Sequence, residues 1–270
     1  MTLELLADWP VPTAAAAIVD RSGIVESHGP LDHVFHLASV TKPLAALAIL
    51  VACDEEAVSL DDPADETVVP GATVRHLLSH ASGYAADEPK RAADPATRRI
   101  YSNVGIERAA ALVEAGTGMP FAQYLSEAVF EPLSMSSTSL PGSPAHGGRS
   151  SVNDLAGVVH ELLGPTGLLA PPTITDLSSV QFPGLRGVLP GYGGQAANDW
   201  GLGFEIRAAK SPHWTGSANS PATFGHFGQS GTMFWVDPVA QVGLVALADR
   251  DFGQWAIKAW PVLSDAVLGR

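Results

Sequence analysis

The sequence predicts an α+β protein, a three-layer α/β sandwich whose antiparallel sheet is built from both chain ends and flanked by helices, with a mostly helical insert. Three observations carry this. The first residues and those after about Phe182 read as strands, the stretch between them reads as helices, and the chain closes on one further helical segment. A single domain spanning 1–270 is expected, with a sheet lobe from about 1–60 and 185–270 and a helical lobe from about 61–184.

The elements follow in order. Ala14 to Val19, the turn Asp20-Arg21-Ser22-Gly23 and Ile24 to Ser27 predict a hairpin. Ser39 to about Cys53 predicts a helix: a hydroxyl residue opens it, Pro43 sits in its first turn, and an Ala/Leu-rich run follows. Asp54 to Glu66 holds seven acidic residues and reads as a solvated loop. Shorter helices are predicted over Thr73 to His80, Asn103 to Gly116, and Phe121 to Val129 after the Gly118-Met119-Pro120 break. Pro141 to Gly148 reads as loop, and Ser151 to Leu163 as a helix with Ser151 and Asp154 at its cap. Trp200 to Ile206 alternates like a strand, and Met233 to Val236, Asp237-Pro238 and Gln241 to Ala248 predict a second hairpin. Phe252 to Leu268 predicts the last helix, with Pro261 expected to kink or restart it.

Composition narrows the function. Hydrophobic residues make up 46% and charged residues 16%, the profile of a packed globular chain. Fifteen Lys plus Arg against 28 Asp plus Glu give a formal charge of −13, which repels phosphate backbones and anionic bilayers. No nucleic-acid partner and no membrane insertion are therefore expected. Met1 to Asp8 lacks Lys and Arg, and the apolar run Ala14 to Val19 ends on Asp20, so no signal peptide is read and the cytoplasm is the expected location. The lone Cys53 follows Ile49-Leu50-Val51-Ala52 and reads as part of a buried helix face rather than as a nucleophile.

Three short motifs can carry chemistry. In Ser39-Val40-Thr41-Lys42 the spacing puts a hydroxyl and an amine on one face of a helix start, where a desolvated lysine can act as base and the helix N-terminus favours an oxyanion. With 22 serines and four lysines, chance supplies this spacing about 0.3 times, so an N-cap serine beside a surface lysine competes with the catalytic reading. Tyr101-Ser102-Asn103 is rarer, about 0.06 by chance, and offers a proton shuttle beside an amide able to hold both a lysine and a substrate carbonyl. A buried tyrosine followed by an asparagine cap would read the same way. His226-Phe227-Gly228 leads a late strand; Gly228 would let substrate lie close, and the Gln229 N–H could point at an oxyanion.

The order and spacing of these motifs resemble the serine β-lactamase and penicillin-binding-protein superfamily, and within it the class C β-lactamase-like group, which includes esterases and D-amino-acid peptidases. Phe35-His36-Leu37-Ala38 ahead of Ser39, Thr73 to Gly83, and Val129-Phe130-Glu131-Pro132-Leu133-Ser134-Met135 match as well. The resemblance runs over nearly the whole chain and implies a β-lactamase/transpeptidase-like fold. It implies Ser39 as nucleophile, Lys42 as its activating partner, Tyr101 as general base or shuttle, and Asn103 as the group orienting Lys42 and substrate. The backbone N–H groups of Ser39 and Gln229 would form the oxyanion hole, with His226 and Gly228 lining the substrate side. The group's third motif is usually Lys-Thr-Gly or His-Thr-Gly; here Phe227 removes the hydroxyl that would meet a β-lactam carboxylate. An uncharged small-molecule ester or amide is the substrate this favours. The chain is short for the group, so an open cleft is expected.

Rival readings are weaker. His76 and His80 have zinc-like spacing, but no Glu follows His76 and no third ligand is nearby, so no metal is expected. His33 and His36 bracket the approach to Ser39 and suit packing. No Gly-x-Ser-x-Gly elbow and no phosphate-binding glycine run occurs, and no organic cofactor is implied. The reading is a serine hydrolase of esterase type, with β-lactamase or D-amino-acid peptidase activity as the alternative. A ligand-binding protein that acylates once, or not at all, is the competing class.

Overall fold

The computed structural model describes residues 2–164 and 167–269. Its elements are β1 (Ala14–Asp20), β2 (Gly23–His28), β3 (Phe35–His36), α1 (Thr41–Asp54), α2 (Val74–Leu78), α3 (Asn103–Thr117), α4 (Phe121–Leu125), β4 (Arg149–Ser150), α5 (Val152–Leu163) and α6 (Pro171–Leu177). They continue with β5 (Gly187–Leu189), β6 (Gly193–Gln195), β7 (Glu205–Ile206), β8 (Phe224–Gly228), β9 (Thr232–Asp237), β10 (Val242–Ala248) and α7 (Gln254–Val267). Six strands form one antiparallel sheet in the order β2-β1-β10-β9-β8-β7, so the two ends of the chain meet where Ala14 pairs with Ala248.

Period-two alternation explains the three layers. Along β9, Met233 and Trp235 face one way while Phe234 and Val236 face the other, and both sets are buried. The Met233 side is covered by α7 and by the N-terminal 3-10 turn Thr2–Asp8, through Trp260, Leu263, Leu3 and Leu6. The Phe234 side meets α5 and α1, through Val158, Val159, Leu44 and Leu47. Helix α1 is buried at every position from Thr41 to Ala52, which is why its sequence is apolar all round.

The sequence-level elements hold with four corrections. Ser39 lies in a 3-10 turn, Ala38–Val40, and the α-helix starts only at Thr41. The second half of the predicted Phe121–Val129 helix is a π turn, Ser126–Phe130. Of Trp200 to Ile206 only Glu205–Ile206 is sheet: Trp200 bridges Glu205, so the segment folds back on itself. Gly203 makes that turn with φ +84°, and a Cβ there would stand 2.1 Å from the Cβ of Ala46. Finally, α7 runs through Pro261 as one helix, its flanking Trp260 and Leu263 being fixed against the sheet. Sequence reasoning missed the hairpin β5–β6, whose strands are too short and glycine-rich to show alternation.

Trp260 is fully buried and packs against Phe227 and Phe252, with ring centroids 5.8 and 5.3 Å away. Trp260→Ala is expected to lower stability by about 3–5 kcal/mol; denaturant unfolding followed by circular dichroism reads the change.

Candidate active site

Three segments bring the candidate residues together. Ser39 stands on the turn ahead of α1, Lys42 is the second residue of that helix, Tyr101 lies just before α3, and His226 to Gly228 stand at the end of β8. Ala38 adopts a left-handed φ of 45°, an uncommon conformation for a residue with a Cβ, and so redirects the chain immediately before Ser39. That turn is held from both sides. Leu37 N–H donates to Gly148 O at 2.9 Å, and the Thr41 hydroxyl donates to Ala38 O at 2.7 Å. From β9, Thr232 Oγ1 donates to Leu37 O at 2.8 Å. Ser39 makes no capping bond, so the cap reading of that serine does not apply. Ser102, not Asn103, caps α3, accepting from Gly105 N–H at 3.1 Å and leaving the Asn103 amide free for the site.

Lys42 is completely buried. Its Nζ donates to Ser39 Oγ at 3.1 Å, Asn103 Oδ1 at 2.6 Å and Ala145 O at 2.9 Å, and lies 4.6 Å from the centre of the Tyr101 ring. Three acceptors for three N–H bonds satisfy the ammonium geometrically. Burial nevertheless outweighs them and draws its pKa down to about 7, against the opposing pull of Asp87 and Glu107. Asp87 accepts from Asn103 Nδ2 at 2.7 Å and so fixes the amide that holds the lysine. Burial pushes the Tyr101 phenol well above its ordinary value, although its hydrogen bond with Ser39 acts the other way. Tyr101 is therefore neutral in the resting site.

His226 is buried and neutral, its pKa pushed down to about 3 by burial and by Lys42. Its Nδ1 lies 2.7 Å from Phe227 O, which assigns the proton to Nδ1 and leaves Nε2 a buried acceptor without a partner. Ser39, Tyr101, His226, Phe227 and Gln229 line one cavity of about 170 Å³, closed by Leu189 and Pro190 of the β5–β6 hairpin, Trp200 and Glu205. The β5–β6 hairpin thus supplies one wall of the site.

Gly228 has a packing use besides the one expected. A Cβ there would lie 2.2 Å from Leu37 O and 2.5 Å from Thr232 Oγ1, so the glycine admits the turn that carries Ser39. His76 is also explained locally: its Nδ1 accepts from the Thr73 N–H at 3.2 Å, and its ring stacks on Phe182. His80 accepts from Ser102 N–H at 3.2 Å and packs 4.7 Å from Tyr101. Among the described residues no cluster of three or more His, Cys, Asp or Glu is placed to hold a metal, and no helix is long and apolar enough to cross a membrane. Burial raises the Cys53 thiol to about 11, which leaves it a poor nucleophile.

Several residues around the site escaped the sequence reading. Ala145 O, Asp87 and Leu189 carry no motif. Neither does Glu205, a buried carboxylate bound by Lys210, His213 and Trp214. Against the cost of burial, His213 and Lys210 draw its pKa down to about 2 and so keep it ionised. Trp200, by contrast, is the core or cleft-wall residue that a tryptophan there suggests.

A family profile described as Beta-lactamase matches residues 4–267. The chain belongs to the β-lactamase family. Within that family of serine hydrolases, the structure of a β-lactamase from Mycobacterium bovis, Mb2281c, is 53% identical, with a TM-score of 0.96 over 99% of this chain and 98% of that one. EstCE1, described as a hydrolase with promiscuous acyltransferase activity, shares the fold at a TM-score of 0.81 and 17% identity, over 99% and 96% of the two chains. Penicillin-binding protein 4* of Bacillus subtilis is 27% identical over 135 residues, 39% of this chain and 30% of that protein. The chain thus spans about a third of the length of the curated relatives it first matches, 30% and 38%.

Gly228→Ala is expected to displace the turn that carries Ser39, costing roughly 1–3 kcal/mol of stability and most of any turnover. Paired unfolding and rate measurements check both; an unchanged rate would contradict the role given to this contact.

Proposed function

We propose that this protein is an acyl-transfer hydrolase of short esters working through an acyl-enzyme on Ser39. The observation that carries the reading is the Lys42 amine, 3.1 Å from Ser39 Oγ and desolvated until its pKa falls to about 7. At neutral pH a large fraction of such a lysine has a free lone pair and can take the serine proton.

Ser39 Oγ attacks the ester carbonyl carbon while its proton passes to Lys42 Nζ. Negative charge develops on the carbonyl oxygen, which the N–H groups of Ser39 and Gln229 would receive. As the C–O bond to the alcohol breaks, the Tyr101 hydroxyl donates its proton to the leaving oxygen and recovers one from Lys42. Water then enters, loses a proton to the same pair and attacks the acyl carbon, and the acyl–Oγ bond breaks as that pair returns a proton to Ser39 Oγ. Asn103 holds the lysine throughout. Supported by its high pKa, Tyr101 serves as a proton relay and Lys42 as the base.

The cavity supports short acyl groups, since about 170 Å³ is well below the ordinary 300–1,000 Å³ of ligand pockets. β-Lactam hydrolysis is the second reading, favoured by the 53% identity to Mb2281c. Against it stand the neutral His226 and Phe227, which offer a β-lactam carboxylate neither charge nor hydroxyl.

Time-resolved hydrolysis of p-nitrophenyl acetate and butyrate by wild type and Ser39→Ala, with intact mass taken alongside, tests the proposal. Sustained turnover lost in Ser39→Ala is expected; no turnover and no acyl adduct would make this a binding protein. Faster turnover of a β-lactam such as nitrocefin would replace the esterase reading with the second one. Tyr101→Phe is expected to cost roughly two to four orders of magnitude in kcat. Because the neutral amine is the active form, kcat/KM should rise with pH through about 7 and then level; a rate flat from pH 5 to 9 would remove Lys42 as the base.

A further inference from the structure

The outer face of the β5–β6 hairpin carries a feature that the Ser39 chemistry does not use. Arg99 forms an isolated parallel bridge with Gly187, and its N–H donates to Arg186 O at 2.9 Å. The Arg99 side chain is buried, its guanidinium donating to the carbonyls of Ser79, Gln181 and Asn198. A Cβ on Gly187 would stand 2.7 Å from that of Arg99, so both positions face inward. By alternation, the residues before them, Arg98 and Arg186, face outward side by side. Both are exposed, and they line a surface cleft of about 320 Å³ together with Val188, which is 59% exposed.

Like charges in register on neighbouring strands repel. Among the described residues neither arginine has an acidic partner, in a chain with 28 acidic residues to offer. Two unpaired guanidinium groups over an apolar side chain form a receptor for an oxyanion carried on an apolar segment.

Two links tie this cleft to the Ser39 pocket. The tip of the same hairpin, Leu189 and Pro190, lines that pocket, while its base lines the cleft. Arg98 also precedes Tyr101 by three residues, a backbone reach of at most about 10 Å. We propose that the Arg98–Arg186 cleft binds a carboxylate or phosphate group on the leaving portion of a substrate whose short acyl group occupies the Ser39 pocket. The inference rests on the acyl-transfer reading of Ser39, and it names the substrate class as short acyl esters or amides of an anionic, partly apolar alcohol or amine.

The test uses acetyl esters that differ only in the leaving phenol. These are phenyl acetate, 4-acetoxybenzoate, 3-(4-acetoxyphenyl)propionate, its neutral propionamide, and (4-acetoxybenzyl)phosphonate. Wild type is expected to show a KM for the propionate ester about fivefold below that for the propionamide, in line with exposed charge pairs. The two KM values should converge in Arg98→Gln/Arg186→Gln, while kcat/KM for the propionamide stays unchanged. A larger advantage for the phosphonate than for the propionate would identify phosphate as the preferred group, and the reverse a carboxylate. Equal KM values in wild type, or an advantage that survives in the double variant, would overturn the proposal. If no ester turns over, the acyl-transfer reading fails, and calorimetric titration with 3-phenylpropionate decides the cleft separately. Binding lost in the double variant sustains the anion site, and absence of binding to wild type overturns it.

Discussion

The site depends on the cost of burying one amine. Lys42 sits on a helix whose first twelve residues are withdrawn from water, and a charged ammonium there loses its hydration. Three oxygens offset part of that loss, and the remainder appears as a proton held loosely near neutral pH. Each surrounding device serves this balance. Asp87 orients the Asn103 amide, Ser102 takes over the capping that Asn103 would otherwise perform, and the loop carrying Ala145 delivers a backbone carbonyl to the third N–H. A lysine placed two turns further along the same helix would have only aliphatic neighbours and no acceptors.

The same burial divides labour between the two proton-carrying groups. Tyr101 and Lys42 share one apolar enclosure with His80, Trp200 and His226, and in it every group is pushed toward its uncharged form. For a phenol that means retaining a proton, and for an amine it means surrendering one. A neutral donor and a neutral acceptor therefore stand on either side of the Ser39 hydroxyl without a fixed negative charge between them. Phe227 extends the enclosure toward α7, through its ring contacts with Trp214, Phe252 and Trp260, and thereby joins the pocket wall to the second core.

What the sequence disclosed, and what it concealed, follow from where the signals reside. Strands β1, β9 and β10 were legible because both faces are buried, which leaves each an uninterrupted apolar run bounded by turn residues. Ser39, Lys42, Tyr101 and Asn103 were legible because their spacing is local or rare. The pairing of Asn103 with Lys42 is 61 residues long-range, and only the family resemblance suggested it. Ala145 contributes a backbone carbonyl, which has no sequence signature at all. At Gly228 a sequence shows that a backbone can be approached closely without showing by what, and the structure adds Leu37 O as one such neighbour. The hairpin β5–β6 left no trace because four of its residues, 187, 191, 193 and 194, are glycines.

The pairing of β1 with β10 has a consequence for how the molecule comes into being. Strand β1 is synthesised long before β10, its hydrogen-bonding partner along one edge, since Ala14 pairs with Ala248. Until residue 248 has emerged, β1 has only β2 beside it, a two-stranded ribbon too small to be stable in water. The turn bearing Ser39 waits as well, since the clasp from Thr232 arrives with the late strands. Assembly of the sheet is thus governed by long-range contacts and correspondingly slow. Until then the apolar α1 segment has no complete sheet to cover it. A fragment ending before β10 would leave the turn that carries Ser39 on an unfinished sheet.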